Sequence, residues 1–407
     1  MRFAVSHSPL IASLSRHKLT VCLLVLQVAL TCAIVCNVAS IIGHRLAQMR
    51  LPSGVVENEL VLIQSISVEE NANELAGHDA DLAALRAIPG VRSAAAVDSL
   101  PFNGNNWSNG IALVPNGPAL TTATAYSGTR GEMEALGTQL IAGRSFLPEE
   151  YIPLDAAHDW AGINHVPSTI ITRALAAKLF PGQDPLGKVI YPGDGPVRIV
   201  GIIDPLLRPT LDASESSGYV TLFPMLPDTT DITYVMRTAP QDRERVLKQA
   251  QQVLAALDSN RVLRRPQTFT QLRADYFRRD RTMISLLLAA ALGLLLVTAA
   301  GIAGLASFWV QQRKRSIGIR RAVGATRRDI LRYFQTENVV IMGAGVALGV
   351  VLAYGLNLML MERYALQRLP WFYVPMGAVV LCALGQLAVL GPALKASLVP
   401  PVVATRG

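Results

Sequence analysis

The sequence predicts an α-helical membrane protein with four transmembrane helices and a large α+β periplasmic domain inserted between helices 1 and 2. Three observations predict it. Of 407 residues, 51% are hydrophobic and only 16% charged, and the mean hydropathy of +0.35 is seldom met in a soluble enzyme of this length. Four apolar stretches, near residues 19–42, 283–310, 338–360 and 372–391, each exceed or approach the ~20 helical residues that cross a ~30 Å hydrocarbon core. Between the first and second lie 44–281, enough chain for a domain with its own core.

The organisation follows in chain order: a cytoplasmic N-terminal segment (1–18), helix 1 (19–43), the periplasmic core domain with its stalk (44–281), helix 2 (282–310), a cytoplasmic elbow (311–337), helix 3 (338–360), a short periplasmic loop (361–371), helix 4 (372–391) and a cytoplasmic tail (392–407). Helix 1 is expected to be a retained anchor, because its apolar core outruns the ~7 to 15 residues of a signal peptide and no small-x-small cleavage pattern follows clearly. Charge sets the orientation. Arg2, Arg16 and Lys18 precede helix 1, and Lys395 and Arg406 follow helix 4. Between Arg313 and Arg332 stand eight basic residues against one acid, Asp329, most of the net charge of +8. Positive loops stay cytoplasmic, so both termini are expected inside and the large domain outside. Arg278, Arg279 and Arg281 run against the pattern, but they end a long segment, for which the rule is weak. All four cysteines, Cys22, Cys32, Cys36 and Cys382, fall in the spans, so the outer domain is expected to fold without disulfides.

Within that domain, residues 59–68 alternate like a half-buried strand, 78–88 place Leu82, Leu85 and Ile88 on one helical face before Pro89-Gly90, and 91–97 complete a strand-helix-strand unit. Residues 102–128, rich in Asn, Gly, Pro and Thr, read as short strands and loops anchored by Trp107. Strands are expected at 168–172, 189–191, 197–203 and 232–237, and an amphipathic helix at 243–257 with Val246, Leu247, Ala250, Val253, Leu254 and Leu257 inward. Two α+β lobes result. Residues 268–280 run in a helical pattern into helix 2 without Pro or Gly, which predicts a rigid stalk.

Several motifs invite catalytic readings that their chemistry rejects. Gly182-Gln-Asp-Pro-Leu-Gly-Lys188-Val189 matches a phosphate loop except at its last position, where Val replaces the Mg²⁺-ligating hydroxyl. The pattern also continues as a strand instead of opening a helix, and Pro185 removes an amide from the cradle. His158, Asp159 and His165 lack metal-site spacing, and no G-x-S-x-G is present. No catalytic residue, metal site or nucleic-acid partner is expected. The spans carry only Gln27, Asn37, Asn338, Asn357 and Gln386 as strongly polar interior groups, too few to suggest a proton path. Ala300 with Gly304, and the G-x-x-x-G pair Gly345 and Gly349, let helices approach closely and offer a surface on which a second chain could pair, set against the ordinary use of glycine in membrane helices.

The basic loop has an order that contact with anionic lipid alone does not explain. Helix 2 is expected to continue to Val323, Gly324-Ala325 to make a tight bend, and Thr326-Arg-Arg-Asp329 to restart a helix as a capping box. The run from Arg315 through Gly318, Arg320, Arg321, Gly324, Ala325, Arg327, Arg328 and Asp329, followed by Glu337 and glycines at 343, 345 and 349, resembles the FtsX-like permease signature. The outer domain is similar to the periplasmic core of macrolide-exporter (MacB) type permeases in Leu179-Phe-Pro-Gly-Gln-Asp-Pro-Leu-Gly-Lys188 and Val197-Arg-Ile-Val-Gly201, and 392–400 resembles the closing segment. Segments 102–120 and 148–166 match least.

The resemblance implies a non-catalytic mechanotransmission subunit. A separate ATPase, holding ATP and Mg²⁺, would bind the elbow, two permease chains would pair, and the outer domains would work with a periplasmic adaptor. In this picture Gly318, Arg320, Arg321, Gly324, Ala325, Arg327, Arg328 and Asp329 form the ATPase contact, and Glu337 lies at the membrane edge. Ser316 departs from the acid usual before Ile-Gly in the family. Export of peptides, antibiotics or similar cargo is the leading expectation. The alternatives are lipoprotein release or control of cell-wall hydrolysis, and a membrane sensor without ATP-driven transport.

Overall fold

The computed structural model describes residues 18–67, 74–155, 163, 165–211, 215–364 and 368–398. Arg2, Arg16, His158, Asp159 and Arg406 lie outside them, as does the end of the closing segment. The chain divides into two compact units, one built from Met1–Met49 with Asp280–Gly407 and the other from Arg50–Arg279.

The helical unit contains α1 (Lys18–Arg50), and the α+β unit begins beyond it. In chain order the latter holds β1 (Leu60–Ser67), α2 (Glu74–Arg86), β2 (Val91–Val97), β3 (Ser108–Ile111), β4 (Thr121–Ser127), α3 (Glu132–Leu136), β5 (Leu140–Gly143), β6 (Ile152–Asp155), β7 (Ser168–Thr172), α4 (Arg173–Leu179), β8 (Val189–Ile190), β9 (Val197–Ile203), β10 (Val220–Phe223), β11 (Met225–Asp228), β12 (Asp231–Thr238), α5 (Arg243–Leu257), β13 (Arg261–Thr268) and α6 (Phe269–Tyr276). The helical unit resumes with α7 (Arg278–Gln312), α8 (Lys314–Ala322), α9 (Arg327–Tyr364) and α10 (Tyr373–Ser397).

One lobe is a four-stranded antiparallel sheet in the order β13-β1-β12-β2. With α2 joining β1 to β2 and α5 joining β12 to β13, it has the split β-α-β plan. Leu82, Leu85, Val246, Ala250 and Leu254 of its helices pack with Val61, Ile63, Ala94, Ala96 and Tyr234 of the sheet. The expected inward set of α5 is corrected at one position: Leu257, in the last turn, is exposed. Strand β1 is also more enclosed than its alternation implies, since Leu60, Val61, Leu62 and Ile63 are all buried. Its two inner neighbours and covered faces make it a central strand.

The second lobe is inserted between β2 and β12. Its mixed sheet runs β3-β4-β10-β7-β9-β5, with β8 on β9, and β11 pairs with β6 in parallel. Ile111, Ala123, Ile171, Leu175, Val197 and Phe223 form its core, with Trp107 packed at the margin. The phosphate-loop look-alike is a turn. Gly182 and Gly187 adopt φ of +70° and +76°, Lys188 N–H donates to Pro185 O at 3.2 Å, and the Lys188 ammonium lies 4.6 Å from the Phe180 ring centroid.

A continuous stalk is not what forms. Thr268 caps α6 by a capping box with Gln271, but α6 ends at Tyr276, and Phe277 turns before α7 begins. Residue spacing carries no sign of this break. Phe102, at φ +71°, stacks within 5.2 to 5.9 Å of Phe269, Tyr276 and Phe277, so aromatic packing across the turn replaces helical continuity.

Four helices, α1, α7, α9 and α10, are long and apolar enough to cross a membrane. The first three outrun their expected bounds at both ends, and α10 begins at Tyr373 and continues past its expected end to Ser397 with Pro392 inside it. Small residues set the packing. A Cβ at Gly345 would stand 2.7 Å from Val28 Cγ1 and one at Gly349 2.5 Å from Cys32 Cβ, so both glycines are occupied by α1 of the same chain. Ala300 and Gly304 on α7 are instead exposed. Polar groups join the helices where apolar packing gives no register. Thr31 and Thr298 hydroxyls meet at 2.8 Å, Asn37 donates to Ala353 O at 3.1 Å, and Asn357 Oδ1 accepts from Leu369 N–H at 3.0 Å.

Candidate functional site

The elbow between α7 and α9 is assembled from three local devices. The first corrects the expected helix through to Val323: α7 stops at Gln312, and Arg313, at φ −99° and ψ 8°, separates it from the short helix α8. The second ends α8. Gly324, at φ +102°, lets its own N–H donate to Arg321 O at 3.1 Å while Ala325 N–H donates to Arg320 O at 3.0 Å. This paired bonding satisfies the last carbonyls of the helix and needs a left-handed residue, which glycine adopts without steric cost. The third starts α9. Thr326 N–H donates to Asp329 Oδ2 at 3.0 Å and Asp329 N–H to Thr326 Oγ1 at 3.3 Å, the reciprocal capping box that the spacing predicts, with Asp in the usual Glu or Gln position.

These devices sort the candidate residues by exposure. Arg320, Arg327, Arg328, Asp329 and Gly324 are exposed, Arg321 and Ala325 are half-buried, and Gly318 is buried beside Ile317. Arg320 lies 4.9 Å from the Tyr333 ring centroid, so one cation is held on α9 across the bend. Glu337 is apart from the exposed group. It is only 2% exposed and accepts from Arg313 Nη1 at 2.8 and 3.1 Å. A buried carboxylate of this kind requires a cation, and the break at Arg313 supplies it. Sequence reasoning names Glu337 but misses Arg313 as its partner, because the signal is a contact between residues 24 positions apart.

The α+β unit holds a second acidic group away from water. Glu132 is 4% exposed, its Oε1 has no hydrogen-bond partner among the described residues, and loss of hydration, reinforced by Asp98, pushes its carboxyl up to about 8. Asp98 accepts from Ser127 N–H at 3.0 Å, near where Val97 bridges Gly128 and Ala96 N–H donates to Thr129 Oγ1 at 2.9 Å. No spacing rule marks Glu132; it reads as an ordinary surface glutamate.

Comparison with known proteins covers both units. Residues 19–261 match the MacB-like periplasmic core domain and residues 288–399 match the FtsX-like permease C-terminal region. The chain is 31% identical over 198 residues to the macrolide export ATP-binding/permease protein MacB of Shewanella sp. (strain W3-18-1), an alignment covering 46% of this chain and 29% of that protein. It is 27% identical over 297 residues to the uncharacterized ABC transporter permease YknZ of Bacillus subtilis (strain 168), covering 70% of each. With the pyoverdine export ATP-binding/permease protein PvdT of Pseudomonas entomophila (strain L48) it shares 31% over 256 residues, 58% of this chain and 37% of that one. The chain thus spans well under half the length of the macrolide and pyoverdine exporters it matches. The crystallised periplasmic region of MacB from Actinobacillus actinomycetemcomitans aligns with a TM-score of 0.32 at 14% identity, over 55% of this chain and 94% of that one.

Proposed function

This chain belongs to the MacB-type permease family, with an FtsX-like C-terminal region, and from that premise we propose that it is the transmembrane subunit of an ABC-type mechanotransmission export system. It sits in the bacterial inner membrane with both termini and the elbow in the cytoplasm and the α+β unit in the periplasm. A separate ATPase chain binds ATP and Mg²⁺ and docks on the elbow, a second permease chain completes the assembly, and a periplasmic adaptor receives the motion. Relatives named for export of macrolides and of pyoverdine favour efflux of an amphiphilic small molecule or peptide.

The observation that carries this reading is the elbow. A hinge closed by a glycine C-cap and reopened by a capping box presents exposed arginines on both of its arms. A push on α8 would reach α9 through the bend and through Arg320 on Tyr333. The ion pair of Arg313 with Glu337 ties the end of α7 to α9, which couples the arms to the long helices.

Purification of the tagged chain from its native host in mild detergent, beside the double variant Arg320→Ala and Arg327→Ala, tests the proposal. An ABC ATPase is expected with the unmodified chain and is expected to be lost, or nearly so, from the variant. If no ATPase accompanies the chain under any condition, the transport reading fails and a sensor takes its place.

A further inference from the structure

Directly behind the elbow, Leu24, Ile302, Leu305, Ala306, Trp309, Phe334, Glu337, Asn338 and Val389 line a small half-open pocket of about 20 Å³, room for one water-sized polar group. Most of the lining is apolar. Two donors break it: Trp309 Nε1–H and Asn338 Nδ2–H, on residues 7% and 5% exposed, find no hydrogen-bond partner among the described residues. Leaving a buried donor unmatched is unfavourable, so an acceptor from outside the chain that reaches both groups would stabilise them.

We propose that this pocket binds a membrane phospholipid with an anionic headgroup, taking an ester carbonyl between Trp309 and Asn338. Three features select that ligand. The small volume admits a single carbonyl oxygen and leaves the rest of the molecule outside, as an ester of a lipid whose acyl chain lies along the apolar helix surface would. The third polar group of the lining, Glu337, is already paired with Arg313 and no lining residue is a cation, so the two donors suit a neutral acceptor such as an ester better than an anion. The anionic phosphate, a few bonds away on the glycerol, then lies toward the basic elbow. Arg313 follows Trp309 by one helical turn, ~6 Å along the axis, and Arg320 is held on Tyr333, the neighbour of the pocket residue Phe334. Basic groups beside a pocket between helices are the usual recognition of anionic headgroups at a cytoplasmic surface. The inference rests on the proposed sidedness of the elbow, and the lipid would brace the bend through which an ATPase acts.

The full chain, exchanged into nanodiscs of phosphatidylethanolamine with phosphatidylglycerol and then released into detergent for native mass spectrometry, is expected to retain phosphatidylglycerol in preference to phosphatidylethanolamine. Asn338→Leu and Trp309→Phe each remove one donor and are expected to weaken retention roughly two- to tenfold. Should those variants fail to fold, a chain with Trp309 as its sole tryptophan (Trp107→Phe, Trp160→Phe, Trp371→Phe) leaves the pocket intact. Its fluorescence is expected to be quenched more by brominated phosphatidylglycerol than by brominated phosphatidylethanolamine. Equal quenching, or retention unchanged by the substitutions, overturns the site and leaves an ordered water as the acceptor. A response of the sole-tryptophan chain to inorganic phosphate alone in lipid-free detergent also overturns it, in favour of a free anion. Labelling of Ser316→Cys from either side of sealed vesicles reports sidedness separately, so an elbow found outside would fault the orientation without touching the pocket.

Discussion

Glu132 shows what burial does to one carboxyl. Its proton affinity is raised from the ordinary range near 4.5 to about 8, so between those values the folded chain holds a proton that the unfolded chain releases. By linkage, the contribution of Glu132 to stability is fullest below about pH 4.5 and is lost as the pH rises toward 8. Glu132→Gln keeps the shape and removes the ionisation. Thermal unfolding of the purified chain is expected to show the variant more stable at pH 8, with a flatter dependence between pH 5 and 8. Glu337 answers the same problem differently, with a cation in place of a proton. Replacing it by Gln while Arg313 remains is expected to cost about 3 kcal/mol, the lower end of what breaking a buried pair costs, because Arg313 keeps 21% of its side-chain surface exposed. A cycle with Arg313→Gln should return a coupling well above zero. A sequence records that these glutamates exist but not their surroundings. Only Glu337 was legible, through a family resemblance, and its partner was not.

At the scale of elements the reading succeeds where a rule concerns neighbours in the chain. Strands at 168–172 and 197–203, the helix at 243–257 and the capping box at Thr326 and Asp329 stand where periodicity and cap chemistry put them. It falls short at Arg313 and Phe277, where helices break without Gly or Pro. Both breaks are fixed by distant partners, Glu337 for one and Phe102 for the other. The bend at Gly324 did announce itself, and it is testable on its own. Gly324→Ala places a Cβ at φ +102° and is expected to destabilise the bend by about 1–2 kcal/mol. If the bend transmits force, ATP turnover stimulated by the reconstituted permease should fall while the amount of bound ATPase changes little.

Across the whole molecule, composition and charge were enough for the class: apolar stretches gave the four long helices, and the absence of cysteine from 44–281 left buried apolar clusters to hold the lobes. How the helices pack was less legible. Gly345 and Gly349 looked equally suited to a second chain, yet α1 fills them, since a G-x-x-x-G surface carries no label for its partner. Gly349→Val is therefore expected to lower the melting temperature of the single chain in detergent, read by size-exclusion monodispersity after heating, whether or not the chains pair.

The lobe formed by β13, β1, β12 and β2 has its two outgoing ends on neighbouring strands. The chain arrives from α1 at the start of β1 and leaves toward α7 from the end of β13, and Val61 pairs with Thr268 at that shared end. Antiparallel rungs stand perpendicular to the strands. If the two tethers slide past each other along the strands, every rung of this ladder bears the load together in shear. If they are pulled sideways, the rungs open one at a time, as a zip does, starting from Val61 and Thr268. Such a clip is stiff to a piston stroke and soft to splaying, and the bulge in the ladder between Leu62 and Gln64 leaves a gap in the rungs close to the end from which such a zip would open.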